Sequence, residues 1–407
     1  MTTISVSVIV ASRGRPEPLR RCLRGIDGLY HDMFEVIVVT DRAGLDAVRG
    51  WDRRIKTQLF EEPNLSRARN IGLRLSACDI VAFIDDDSIP EPTWLGRLVE
   101  PFRDDSVGAA GGFVVGRNGI RLQWGASVAD QLGQRLPLET DPVLPMIHNG
   151  SAGLGIKTEG TNMAFRRELL IGIGGFDESF AFYLDETDVN LRLGAMGVAT
   201  AIVPLARVHH SYAESERRRR DRVPRDLSTI GASLAVFLAK HGTDPESRFA
   251  AETDVQRRRL IGHLMAGRIE PHDVERLLQA FRKGWRSAEH RSASTRPLPT
   301  RTIPFLPFFA EASKVPKASF LSGRSGQGQR LHARAKELAG KGETVSVIVL
   351  SPTALFHRVS FTDEGYWLQT GGLFGRSDDD DPLFRFWRFS DRVAREEDRV
   401  RNAREPP

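Results

Sequence analysis

An α/β fold, with a mostly parallel sheet flanked by helices, is predicted by three observations. A run of five apolar residues, Ile80-Val81-Ala82-Phe83-Ile84, ends in three acids, Asp85-Asp86-Asp87. Such an unbroken run reads as a strand buried on both faces, the signature of a sheet covered by helices. The opening pattern runs strand, amphipathic helix, strand, which implies a right-handed parallel crossover. Acidic residues recur where strands end, and open α/β sheets bind ligands at the carboxyl ends of their strands.

The elements follow in order. Val6 to Val10 is the first strand, and Ala11-Ser12-Arg13-Gly14-Arg15 is the loop after it. Pro16 opens a helix in which Leu19, Cys22, Leu23 and Ile26 share one face. Val36 to Val39 is a second strand ending at Thr40-Asp41. There Asp41 reads either as an acceptor for a nucleobase N–H or ribose hydroxyl, or as a turn or cap aspartate. Asn64 to Ala77 is a helix carrying Arg67 and Arg69; such arginines suit a diphosphate clamp or a solvated face.

The run 80–84 delivers Asp85 and Asp87 to a strand end. The two converge on one hard divalent cation if the chain bends there, and Ser88-Ile89-Pro90 is expected to make that turn. A helix from Thr93 and a strand over 107–115 follow. Residues 116–155 have no readable pattern, and 149–155 is expected to be a mobile loop; it is no P-loop, because no GK[ST] follows. A second acidic cluster, Asp185-Glu186-Thr187-Asp188, is expected to start a helix with Asp185 near its N-cap and Asp188 paired with Arg192. Ala199 to Val203 is a strand, and His209-His210 closes the unit. Either histidine could complete a metal sphere begun by the carboxylates.

Composition bounds the partners. The 407-residue chain is too long for one core and carries a formal charge of +5. That modest excess suits an anionic small molecule or membrane surface and does not by itself imply nucleic acid. The two cysteines, Cys22 and Cys78, form no CxxC pair, which fits a reduced cytoplasmic protein. The N-terminus reads as a strand without a signal peptide, and no apolar run is long enough to span a bilayer. Membrane contact is therefore expected to be peripheral, at the inner face.

Residues 5 to about 215 resemble family 2 glycosyltransferases of the GT-A fold. The pieces that carry the resemblance are the Arg15-Pro16 helix, Val39-Thr40-Asp41, Ala68-Arg69-Asn70-Ile71-Gly72, Phe83-Ile84-Asp85-Asp86-Asp87, Pro92-Thr93-Trp94-Leu95, Gly160-Thr161-Asn162-Met163, Gly174-Gly175-Phe176-Asp177-Glu178 and Asp185-Glu186-Thr187-Asp188, in that order. The resemblance implies a nucleotide-sugar donor, held by Ala11, Arg13, Asp41, Arg69, Asp85, Asp86 and Asn162. It implies a Mn2+ or Mg2+ ion on Asp85 and Asp87 with His209 or His210. It also implies a general base from Asp185 or Glu186, and an inverting transfer to a saccharide or lipid-linked acceptor in surface polysaccharide synthesis. The chain departs from the family pattern at Ser12-Arg13-Gly14, at Asp41-Arg42-Ala43-Gly44 and in the order Asp185-Glu186.

The expected division is a glycosyltransferase domain over 1–215, a helical region over 216–291, a linker over 292–317 and a C-terminal α/β appendage over 318–407. The run Glu214 to Arg222 reads as a solvated helix face or a lipid-facing patch. Leu227 to Leu238 and Val255 to Phe281 are helical. In the appendage a strand, the loop 323–328, a helix and the strand 345–350 resemble, weakly, a Rossmann-like or GT-B-like half unit. Residues 361–374 suggest a hairpin, and 378–381 a solvated turn. The appendage is expected to dock on the first domain or on a second copy of the chain. The competing readings are a non-catalytic assembly protein that keeps the fold, and a nucleotidyltransferase.

Overall fold

Apolar strands alternating with amphipathic helices build the first half of the computed structural model, which describes residues 3–51, 53–211, 214–242, 244–288, 298, 303–308 and 317–405. In order these are β1 (Val6–Ser12), α1 (Pro16–Asp27), β2 (Phe34–Thr40), α2 (Arg42–Ala47), β3 (Lys56–Leu59), α3 (Leu65–Leu75) and β4 (Ile80–Asp85). After them come β5 (Ser88–Pro90), α4 (Trp94–Val99) and β6 (Val107–Val115). The stretch without a readable pattern forms five short strands: β7 (Leu122–Trp124), β8 (Ser127–Asp130), β9 (Arg135–Pro137), β10 (Met146–Asn149) and β11 (Leu154–Ile156). Then follow β12 (Met163–Arg166), α5 (Arg167–Gly172), α6 (Asp185–Ala195) and β13 (Ala199–His210).

Among the described residues the main sheet has ten strands, in the order β10-β13-β6-β12-β4-β1-β2-β3, with β5 on β13 and β7 on β6. β4, β1, β2 and β3 run parallel, and β12 enters antiparallel between β4 and β6. Strand alternation divides the core between two faces. Val6, Val8 and Val10 pack with Leu19, Leu23 and Ile26 of α1, whereas Ile9 packs with Val81, Phe83 and Leu73 of α3. Each such side chain, fully buried, contributes about 1.5–3 kcal/mol.

Three local expectations are corrected. The turn after β4 is Asp86-Asp87, not Ser88-Ile89-Pro90, because those three residues pair with the end of β13 as β5. Residues 149–155 are a tight hairpin, with Ser151 and Leu154 exchanging backbone hydrogen bonds around Gly153 at φ +82°. The run 214–222 is no helix face; Ser215, Arg218 and Pro224 make isolated bridges that fold it back over the strand ends.

α7 (Ser228–His241), α8 (Pro245–Met265) and α9 (Pro271–Ala288) share a core of Leu234, Phe237, Leu260, Leu277 and Phe281. The pattern over 255–281 is therefore two helices, not one. Of the expected linker 292–317, only 298, 303–308 and 317 are described; Leu298 and Phe308 pack into the cores of the first domain. The appendage holds β14 (Ala318–Arg324), α10 (Gly328–Gly340), β15 (Thr344–Ser351), β16 (Arg358–Phe361), β17 (Trp367–Gly372) and α11 (Phe389–Arg404), a helix the sequence pattern did not reveal. Its sheet runs β14-β15-β17-β16, with α10 against one face and α11 against the other. It docks on the first domain of the same chain, through Asn118 to Val359 and Glu91 to Arg404. No helix among the described residues is long and apolar enough to cross a membrane.

Candidate active site

β4 carries Asp85 to its carboxyl end, and β5 returns antiparallel to β13 with Ser88 opposite His210 and Ile89 opposite His209. Side chains alternate along a strand, so the two adjacent histidines point to opposite faces. His210 lies with Nε2 3.2 Å from Asp87 Oδ1 and Nδ1 3.0 Å from Gln123 Oε1, its ring stacked on Trp124. Asp85, Asp87 and His210 each offer one ligand atom, all within 4.8 Å of one another. Two carboxylate oxygens and an imidazole nitrogen are a donor set that fits Mn2+ or Mg2+. His209 stands outside this group. Its Nε2 is 2.6 Å from Glu91 Oε1 and its ring lies 4.6 Å from Trp367.

Arginines surround the acids. Arg15 bridges Asp86 at 2.5 Å and Asp87 at 3.0 Å, and Arg218 reaches Asp87 at 3.3 Å. Burial pushes the Asp86 carboxyl up to about 7, against the pull of Arg15. Burial acts the same way on Asp87, but His210 and Arg15 outweigh it and hold that carboxyl well below the usual range. Asp86 is fully buried and accepts a hydrogen bond from Ser12 Oγ at 2.6 Å.

Asn162 is placed in a similar setting. It is fully buried, accepts from Trp94 Nε1 and donates to the carbonyls of Phe113 and Ala206. Asp41 caps α2, accepting from Gly44 N at 2.9 Å and from Gly14 N at 2.7 Å. It stays half-buried at the strand end. Arg13, partly exposed, donates to the Glu61 carbonyl and pairs with Glu216. Ala11 sits opposite Asp85 in the β1–β4 register.

The second cluster is presented by a strained turn. Tyr183 and Leu184 take φ of +77° and +65°, unusual for side-chain-bearing residues. Leu184 caps α6, and Asp185 is its first helical residue. Arg69 joins the two clusters: its guanidinium pairs with Asp185, lies 3.2 Å from Asp85 and donates to the Gly160 carbonyl at 2.9 Å. At 3% exposure it is a buried bridge between the two clusters. Burial pushes Asp185 up to about 7, opposed by Arg69. Burial would raise Glu186 too, but Lys157, 2.6 Å away, holds it down at about 2. The side chain of Glu186 is 18% exposed and that of Asp185 2%.

Sequence reasoning passed over Lys157, Gln123 and Trp124, which carry no local signal. Arg218 was in view only as part of a charge run. A cavity of about 750 Å³ lies elsewhere, at the seam with the appendage; Tyr30, Phe308 and Trp367 line it, and no residue of either acidic cluster does.

Strand-end acids gathered with an imidazole stand where open α/β sheets bind their ligands, at the carboxyl ends of the strands. Residues 7–171 match the sequence model described as Glycosyl transferase family 2. The O-antigen biosynthesis protein RfbC of Myxococcus xanthus is 27% identical over 247 residues, covering 54% of this chain and 18% of that protein. The glucosyl-dolichyl phosphate glucuronosyltransferase of Haloferax volcanii is 24% identical, covering 43% of this chain and 56% of its own. The pre-mycofactocin glycosyltransferase of Mycobacterium tuberculosis is 26% identical, covering 58% and 48%. The chain thus spans between about a fifth and just over a half of these relatives' lengths. Among solved structures, GalNAc-T7 with UDP, GalNAc and Mn2+ aligns at TM-score 0.44 and 16% identity over 58% of this chain and 48% of that one. The mannosyltransferase PcManGT of Pyrobaculum calidifontis, solved with GDP-Man and Mn2+, aligns at TM-score 0.43 and 17% identity over 71% and 88%. These two likenesses are loose.

Proposed function

We propose that the chain is a metal-dependent inverting glycosyltransferase that moves a sugar from a nucleoside-diphosphate donor, a UDP-sugar, to a hydroxyl of a saccharide or lipid-linked acceptor. The observation that carries the proposal is the Arg69 bridge. One guanidinium touches both Asp85 and Asp185, so the strand-end acids and the helix acids belong to one site. Asp85, Asp87 and His210 would hold a divalent cation. When bound, that ion supplies Lewis-acid stabilisation of the charge that develops on the departing diphosphate.

The chain's own residues do the rest. Arg15 and Arg218, now on Asp86 and Asp87, lie where they can also meet a diphosphate. Glu186 is the proposed base: it is ionised at neutral pH and more open than Asp185, which Arg69 covers. The acceptor oxygen bonds to the anomeric carbon, and the bond from that carbon to the diphosphate oxygen breaks. The electron pair leaves with the nucleoside diphosphate, and the acceptor proton passes to the Glu186 carboxylate. One displacement with one base inverts the anomeric centre. The four-part division of the chain, and a role in surface polysaccharide synthesis at the inner membrane face, belong to the same proposal.

Titration calorimetry of UDP against the protein in Mn2+ and in EDTA tests it, together with transfer assays on Glu186→Gln. Binding of UDP only with Mn2+, and a turnover loss of about 10²–10⁴-fold in a variant that still binds UDP, are expected. Tighter binding of a nucleoside triphosphate than of UDP would favour a nucleotidyltransferase instead. Full turnover in the variant would remove Glu186 from the chemistry.

A further inference from the structure

The end of β13 has a second face, and the far end of the chain closes it. Glu91 directly follows β5, and Oε1 and Oε2 both accept from Arg404, the last residue of α11, at 3.1 and 2.9 Å. The same Glu91 Oε1 lies 2.6 Å from His209 Nε2. The Arg404 guanidinium lies 4.2 Å over the Trp367 ring and also donates to Ser346 Oγ at 3.1 Å. Backbone contacts fix the helix end: Tyr30 Oη donates to the Arg404 carbonyl at 2.9 Å, and Thr93 N to the Ala403 carbonyl at 3.3 Å. Arg404, Glu91 and Trp367 are all at most 5% exposed.

This buried group grips the strand pair that carries two of the three candidate metal ligands. Three residues of β5 separate Asp87 from Glu91, and in the paired strand His209 adjoins His210. The β5–β13 pairing is tied at both ends, Ser211 N to the Asp87 carbonyl at 2.9 Å and Glu91 N to the Arg207 carbonyl at 3.0 Å. On the front face Asp87 meets His210; on the back face Glu91 meets His209 and Arg404. A buried carboxylate that loses a two-pronged cation has to reach water or turn away, and β5 would move against β13 as it did so.

We propose that Arg404, with Trp367 behind it, is a positioning residue for the Asp85–Asp87–His210 group, so that the appendage is an integral part of the metal centre. The proposal rests on the metal-dependent reading above. Residues that orient ligands from behind typically change metal affinity by about 10–100-fold when removed.

The test is Mn2+ titration by calorimetry on the full chain, in wild type, Arg404→Met and Arg404→Lys, with circular dichroism and thermal melts on the same samples. Arg404→Lys keeps the charge, loses the two-pronged bond, and serves as the folded variant if Arg404→Met does not fold. Arg404→Met is expected to weaken Mn2+ binding at least tenfold at a temperature where it is folded, and Arg404→Lys at least threefold. Glu91→Gln in the Arg404→Met background, which removes the stranded charge, is expected to recover part of the loss. A lower melting temperature with unchanged Mn2+ affinity in either folded variant overturns the proposal and leaves the metal reading intact. Absence of Mn2+ binding by the wild type overturns both.

Discussion

Replacing Arg69 with methionine removes the cation from between two acids and a carbonyl. Asp185, with a side chain 2% exposed, loses the cation that opposes its protonation, so its carboxyl must stay ionised without a partner or take up a proton, while Asp85, 30% exposed, can turn to water. Breaking a buried pair from one side costs about 3–5 kcal/mol when an uncompensated charge stays behind, and protonation of Asp185 brings the cost toward the lower end of that range. Asp185→Asn is milder, about 1.5–3 kcal/mol, since Arg69 keeps Asp85 at 3.2 Å and the Gly160 carbonyl at 2.9 Å. The double variant leaves neither charge alone, so it is expected to cost about 2 kcal/mol less than the sum of the singles. Urea midpoints in EDTA, with unchanged slopes, give the four corners of this cycle. Additivity within about 0.5 kcal/mol would refute the bridge. So would a stable Arg69→Met protein that has merely lost affinity for UDP, the behaviour of an arginine that holds diphosphate and nothing else.

The remaining predictions concern the fold around the site. Burial alone would raise Asp188, but His241, Arg192 and Lys240 outweigh it and hold its carboxyl at about 2. That is below the ordinary aspartate value of about 3.9, so Asp188 stabilises the fold fully above about pH 4, and the contribution is lost as pH falls through about 2. Stability curves of wild type and Asp188→Asn should therefore converge by about 2 kcal/mol over that window; parallel curves would show that the pairing is absent. Asn162→Ala removes three buried hydrogen bonds and is expected to cost about 3 kcal/mol while the folded fraction binds UDP normally. A selective loss of UDP binding would return Asn162 to the donor site.

Much of the first domain was legible because its signals are local. Unbroken apolar strands, one helical face at offsets of three and four, and acids at strand ends are all written within windows of about ten residues. The short strands of 122–156 were illegible because three- and four-residue segments hold too few periods to read, and most of their residues are exposed or half-buried. α11 was hidden by its composition: charged residues surround it, and the apolar side chains it meets, Ile348 and Leu350, lie on another strand.

The chain's sequence alone determined that carboxylates would stand at the ends of buried strands, since apolar runs must be buried and ionised groups must leave the core where the run stops. Tertiary structure decided what each charge meets. Whether His209 or His210 faces the acids follows from the register in which β13 pairs with β5, His210 opposite Ser88 and His209 opposite Ile89. Arg69 finds Asp185 across 116 residues, and Glu91 finds Arg404 across 313. Buried charges are tolerated only with such partners, and no periodicity along the chain names a partner that distant.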